Sequence, residues 1–159
     1  MILIWGLEVL DILVFHQSLN RYGIIPRNWV GLRGILFAPF LHGGLGHVAA
    51  NTLPFLGLGL MVMAGGMKDF FWATGVSMLV GGLGVWILGA SGSVHIGASG
   101  LVFGYFGFLL GRAYFERSLG TILVALVVIG LYGGLIHGLH PFQEQISWQG
   151  HLFGMLGGI

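Results

Sequence analysis

Five apolar runs of helical length, separated by short polar or glycine-rich turns, fill most of this sequence, and a sixth opens near its end. The runs cover residues 2–16, 47–66, 71–88, 97–114 and 119–138, and the last begins at Ser147. One crossing of a bilayer's hydrocarbon takes about 20 mostly apolar residues. A water-facing domain carries about 25% charged residues, whereas here the share is 7%, too little to coat a soluble globule. The pattern predicts an all-α, polytopic membrane protein with six transmembrane helices in one bundle, a single domain over residues 1–159. HLFGMLGGI is still apolar where the sequence stops, so the sixth helix is expected to be cut short there.

The exceptions to this apolar pattern are few. Glu8 and Asp11 lie inside the first run, where carboxylates are costly, and are expected to face the bundle interior in a structural role. The connection that follows holds two prolines, three arginines and the apolar piece ILFAPFL, too short to span and read as an interfacial or re-entrant element. Lys68, Arg112 and Arg117 sit on one side of the bundle and Arg21, Arg27 and Arg33 on the other. Short turns weigh more than a long loop in the positive-inside rule, so the N-terminus is placed in the cytoplasm of a cell-membrane protein. A net charge of +1 gives no reason to expect a nucleic-acid partner, and the absence of cysteine excludes thiol chemistry.

In an up-and-down bundle, helices 2, 4 and 6 all start on one side, and the polar residues gather there. His47 and Asn51, in HVAAN, are spaced i, i+4 and share a face of helix 2. Ser99, in GASG, opens helix 4, whose unpaired N–H groups and positive dipole end can stabilise negative charge on an oxygen. His151 opens helix 6. Gly100, Gly104, Gly107 and Gly111 on helix 4, and Gly150, Gly154 and Gly158 on helix 6, offer faces for close packing. If those faces meet, the Ser99 hydroxyl and the His151 imidazole come within hydrogen-bond reach, as an activated serine requires.

Together these residues resemble the rhomboid family of intramembrane serine proteases, over nearly the whole chain. Gly97-Ala98-Ser99-Gly100 matches the family's GxSG; His151 with Gly154 and Gly158 matches its sixth-helix histidine; His47 and Asn51 match its HxxxN. GILFAPFLH, ending at His42, looks like the family's first loop. The resemblance implies a dyad of Ser99 as nucleophile and His151 as base, with His47, Asn51 and the Ser99 N–H binding the oxyanion and Gly97, Gly100 and Phe103 in support. It implies no cofactor and no metal, and substrates that are single-span membrane proteins whose helices unwind easily, cut in the lipid bilayer after a small residue.

Two positions depart from the family. Phe103 stands where many members stack a tyrosine on the imidazole, and the first loop's Trp-Arg pair is represented only by Leu32-Arg33. Glu144 alone among the carboxylates is placed to approach His151. His42 and His95 flank the site and are expected to bond loop backbone. A membrane transporter or metal carrier using His42, His47, His95 and His151, and an inactive rhomboid-like binding protein, are the competing readings. Neither substrate nor oligomeric state is legible.

Overall fold

A computed structural model describes residues 1–141 and 146–159. Its regular elements are helical: α1 (Ile2–Leu10), α2 (Gly34–Phe37), α3 (Leu45–Gly65), α4 (Met67–Leu88), α5 (Ser99–Glu116), α6 (Leu119–Tyr132) and α7 (Trp148–Gly158). A wide π-helical turn, Asp11–Phe15, prolongs α1 until His16 and Gln17 adopt left-handed conformations and stop it. A 3-10 segment, Gly133–Leu139, prolongs α6. Among the described residues there is no strand, only an isolated antiparallel bridge between Ile24 and His95.

Three helices are long and apolar enough to cross a membrane: Leu45–Gly65, Met67–Leu88, and α6 with its 3-10 continuation, Leu119–Leu139. Length and composition thus support three of the six expected crossings. α7 is 11 residues long. α1 packs against the first turns of α3 and the segment Ala38–Phe40, with Glu8 against the Gly44 backbone and the Trp5 indole donating to Thr52 Oγ1 at 3.0 Å. The long helices α3 and α6 expose large apolar side chains such as Leu53, Leu60 and Leu126, which lipid would cover.

Several expected boundaries move. Only Gly66 separates α3 from α4, so Lys68 and Asp69, expected in a turn, lie in the first turn of α4. There Asp69 sits at the positive end of the helix dipole. Arg112 and Glu116 likewise belong to α5, which runs to Glu116 rather than stopping near Tyr114. Arg112 bonds Glu116 at 2.7 Å and pairs with Asp69 at 3.5 Å, joining the ends of α5 and α4. The α helix of the fifth run ends at Tyr132, because the chain tightens to a 3-10 turn from Gly133.

α5 runs through the centre, with Val102, Phe103, Tyr105, Phe106 and Leu109 buried. The Tyr105 hydroxyl, which cannot stay unpaired in an apolar core, lies 2.9 Å from Thr74 Oγ1. α7 is wedged between α5 and α4, and its glycines permit this: Cβ atoms on Gly154 and Gly158 would fall on the carbonyl oxygens of Gly100 and Gly104. On the other side, a Cβ on Gly81 would stand 3.2 Å from Gly154 Cα. The two expected glycine faces therefore do meet, and α4 contributes a third face that the sequence did not single out.

The piece ILFAPFL folds as α2 plus a 3-10 turn, Ala38–Phe40, and lies on α4 with Ile35 filling the place a side chain at Gly82 would need. The Ala38 carbonyl accepts the Gly97 N–H at 2.9 Å. The first loop is thereby tied to the turn that leads into α5.

Candidate active site

Ser99 is the first residue of α5 and is reached through Gly97, whose φ of +116° few residues other than glycine adopt. A Cβ on Gly97 would stand 2.8 Å from His47 Nε2 and 3.9 Å from Ser99 Oγ. The missing side chain leaves a gap that the imidazole of α3 and the hydroxyl of α5 share. Ala98 is fully buried, and its N–H is taken by His42 Nε2 at 3.3 Å. Ser99 and Gly100, in the first turn, have N–H groups with no intrahelical acceptor.

His151, on α7, reaches Ser99 with Nε2 2.8 Å from Oγ. Its other nitrogen, Nδ1, lies 2.8 Å from the Gly138 carbonyl. A carbonyl only accepts, so Nδ1 carries a proton, and in the neutral ring Nε2 is then free to accept from the serine hydroxyl. Phe103, one turn beyond Ser99, stacks on this imidazole with centroids 4.2 Å apart and planes 8° from parallel. The ring contact expected of Phe103 is present. Gly138 was not anticipated; a backbone carbonyl from a 3-10 segment carries no signal in the sequence.

His47 shows the complementary arrangement. Its Nδ1 accepts the Gly43 N–H at 3.3 Å, so the neutral ring keeps its proton on Nε2, the nitrogen facing the gap beside Ser99. Asn51 is buried on the next turn, and its amide donates to the His47 carbonyl at 3.1 Å. No hydrogen bond joins Asn51 to Ser99 among the described residues.

Of the flanking histidines, the His42 ring bonds loop backbone through the Ala98 N–H, whereas the His95 ring bonds serine hydroxyls instead. His42 is fully buried against His47, ring centroids 4.8 Å apart, and burial together with the neighbouring imidazole pushes its pKa down to about 4. His95 links Ser93 to Ser147 through its two ring nitrogens, and burial lowers its pKa as well. Glu144 lies outside the described residues. Among the described residues, no three histidine or carboxylate groups stand close enough together to hold a metal ion. Glu8 and Asp11 are buried under the first loop, Glu8 taking the Gln17 amide at 3.2 Å and Asp11 the Leu19 N–H at 3.0 Å. Behind Ser99 a cavity of about 50 Å³, bounded by Ser77, Gly81, His95, Gly97 and Ser147, has room for water.

An apolar helical bundle with a hydroxyl and an imidazole joined at the heads of two helices describes a membrane protein with a serine–histidine site. Residues 29–159 match the family model of the rhomboid domain, and the chain belongs to the rhomboid family. An uncharacterised protein of Mycobacterium tuberculosis is 42% identical over 165 residues, covering 99% of this chain and 68% of that protein. An uncharacterised protein of Mycobacterium leprae is 38% identical over 167 residues, covering 100% of this chain and 66% of the relative. Rhomboid protease GluP of Bacillus subtilis is 30% identical over 128 residues, covering 75% of this chain and 23% of that enzyme. This chain thus spans about two-thirds of its mycobacterial relatives. No solved structure matches it significantly.

Proposed function

We propose that this protein is an intramembrane serine endopeptidase, a six-helix rhomboid bundle of the cell membrane that cleaves transmembrane proteins with Ser99 as nucleophile and His151 as base. The observation that carries this reading is the 2.8 Å contact between Ser99 Oγ and His151 Nε2, with the Nδ1 proton held by Gly138. His151 takes the hydroxyl proton as Oγ attacks the scissile carbonyl. The oxyanion receives the Ser99 N–H and the His47 Nε2–H, with Asn51 beside them; donors fixed in advance need no reorganisation as the charge develops. Collapse of the tetrahedral intermediate returns the proton from His151 to the departing amine, leaving an acyl-serine. Water, deprotonated by His151, then hydrolyses that ester.

The end that carries Lys68, Arg112 and Arg117 lies in the cytoplasm by the positive-inside rule, and Ser99 opens at the opposite side. A hydrolase in hydrocarbon needs water at its nucleophile, and the cavity behind Ser99 offers space for it. The transporter and metal-carrier readings give no reason for a serine to be bonded to an imidazole, and an inactive binding relative gives none for the stacked and oriented His151.

The test is labelling of the purified protein in liposomes by a fluorophosphonate, with cleavage of a single-span substrate followed in parallel. Wild-type protein is expected to be labelled at Ser99, and Ser99→Ala and His151→Ala to lose both labelling and cleavage while melting near the wild-type temperature. Cleavage retained by Ser99→Ala would refute the proposal.

A further inference from the structure

A second serine–histidine contact lies four residues upstream of the first in both segments, with the two residue types exchanged between them. Ser99 on α5 meets His151 on α7; His95, on the approach to α5, meets Ser147, which directly precedes α7. Both pairs are 52 residues apart in sequence, and the upstream contact, His95 Nδ1 to Ser147 Oγ, is 2.7 Å long.

The proton order along this link follows from its far end. Ser93 Oγ donates to the Ala90 carbonyl at 2.6 Å, so towards His95 it must accept; His95 therefore holds its proton on Nε2, which donates to Ser93 at 2.8 Å. Nδ1 is left as an acceptor, and Ser147 donates to it. His95 is fixed by its backbone too, exchanging two 2.9 Å hydrogen bonds with Ile24. Ser147 occupies the N-cap position of α7, yet its side chain caps no backbone N–H. A serine there ordinarily stabilises its own helix start; this one gives its hydroxyl to His95. The carbonyl of the same Ser147 accepts the His151 N–H at 3.0 Å.

We infer that the Ser93–His95–Ser147 link is a clamp that sets the start of α7, and with it His151, against the segment that carries Ser99, making His95 a positioning residue for the dyad. The inference rests on the proposed serine-protease function. The link bonds neither Ser99 nor His151, although His95 and Ser147 also bound the cavity behind Ser99. It acts through the Ser147 carbonyl and the first turn of α7, where the register of the base relative to the nucleophile is decided.

The test measures fluorophosphonate labelling of the full chain in liposomes, resolved into probe affinity and maximal inactivation rate. His95→Phe, which keeps the ring but neither hydrogen bond, is expected to lower the maximal rate about 10- to 100-fold, the loss produced by a misplacement of about 1 Å, with probe affinity little changed. Ser147→Ala is expected to lower it similarly, and the double variant no further, because both remove one link. His95→Asn, whose side-chain oxygen can take the Nδ1 position and accept from Ser147, is expected to recover most of the rate. Labelling of His95→Phe at the wild-type rate, additive losses in the double variant, or no recovery with His95→Asn would each overturn the clamp. If His95→Phe does not fold, Ser147→Ala and His95→Asn decide alone. Absence of labelling in the wild type would instead refute the protease reading.

Discussion

Replacing Gly154 with alanine tests whether the approach of α7 to α5 sets the distance between Ser99 and His151, the proposed nucleophile and base. A Cβ at this position would stand 3.0 Å from the Gly100 carbonyl carbon and 3.2 Å from its Cα, and nearer still to its oxygen, where ordinary contact begins at 3.4 Å. Gly100 directly follows Ser99, so the clash falls on the backbone that presents the nucleophile. Relief requires the two helices to part by on the order of 1 Å, an overpacking that costs about 1–3 kcal/mol. The same displacement stretches the 2.8 Å contact between Ser99 and His151 to about 3.8 Å, beyond a hydrogen bond. Fluorophosphonate labelling should therefore slow about 100-fold, with a lower melting temperature in the same liposomes. Gly130→Ala is the control: a Cβ on Gly130 meets nothing within 4 Å, and alanine is the better helix former by up to about 1 kcal/mol, so labelling should be unchanged and melting equal or higher. A Gly154→Ala protein that melts lower yet labels at the wild-type rate would show that the approach serves stability alone, and the reasoning would fail.

Two further outcomes follow from the site. His47→Ala removes a donor facing the gap beside Ser99 and should lower kcat for substrate cleavage about 100- to 1,000-fold; Asn51→Ala, whose amide is already given to the His47 carbonyl, should cost less, and the reverse order would exclude His47 as the principal oxyanion donor. His42 has its pKa lowered by burial from an ordinary 6.5 to about 4, so between these values the unfolded chain binds the proton and the folded one does not. Stability should then fall as the pH drops from about 6.5 towards 4, and the fall should shrink in His42→Asn; thermal melting across that range, equally steep in both proteins, would contradict the assignment.

What could be read from the residues was whatever a side chain and a period carry together. Ser99, His151 and His47 each stand near a helix start, and alternate helices of a bundle start on one side, so their convergence followed from spacing alone. The glycines at every fourth position announced a close approach of α5 and α7, and Gly154 and Gly158 lie against carbonyls of α5. Legibility failed where the backbone supplies the partner. Nothing in GGLIHGL marks Gly138 as the acceptor for His151, because any residue has a carbonyl and only a 3-10 turn points this one at the imidazole. Lys68 and Asp69 were read as turn residues because charge usually ends an apolar run. A single glycine closes that connection instead, and the charges fall inside the next helix. His95 and Ser147 were separated by the whole of two helices, and serine before a helix reads as its cap, so their bond had no signature.

The carbonyl at Gly138 also bears on how the proposed dyad could work without an aspartate. Among the described residues the His151 imidazole is oriented by an uncharged acceptor at 2.8 Å. A carboxylate there would stabilise the imidazolium more strongly, but it would be a permanent anion next to apolar Phe103, and an isolated buried charge costs several kcal/mol even after relaxation. A carbonyl selects the same tautomer without that penalty, since its partial charge is already paired in the donor–acceptor contact. The base is weaker for it. The proposed mechanism offsets the weakness at the other end of the proton's path, where the N–H groups of the first turn of α5 and His47 lower the energy of the oxyanion that the proton transfer creates. On that mechanism the oxyanion gap shares the burden with the base, so the ordering of His47 and Asn51 effects tests the gap as the loss of activity in His151→Ala tests the base.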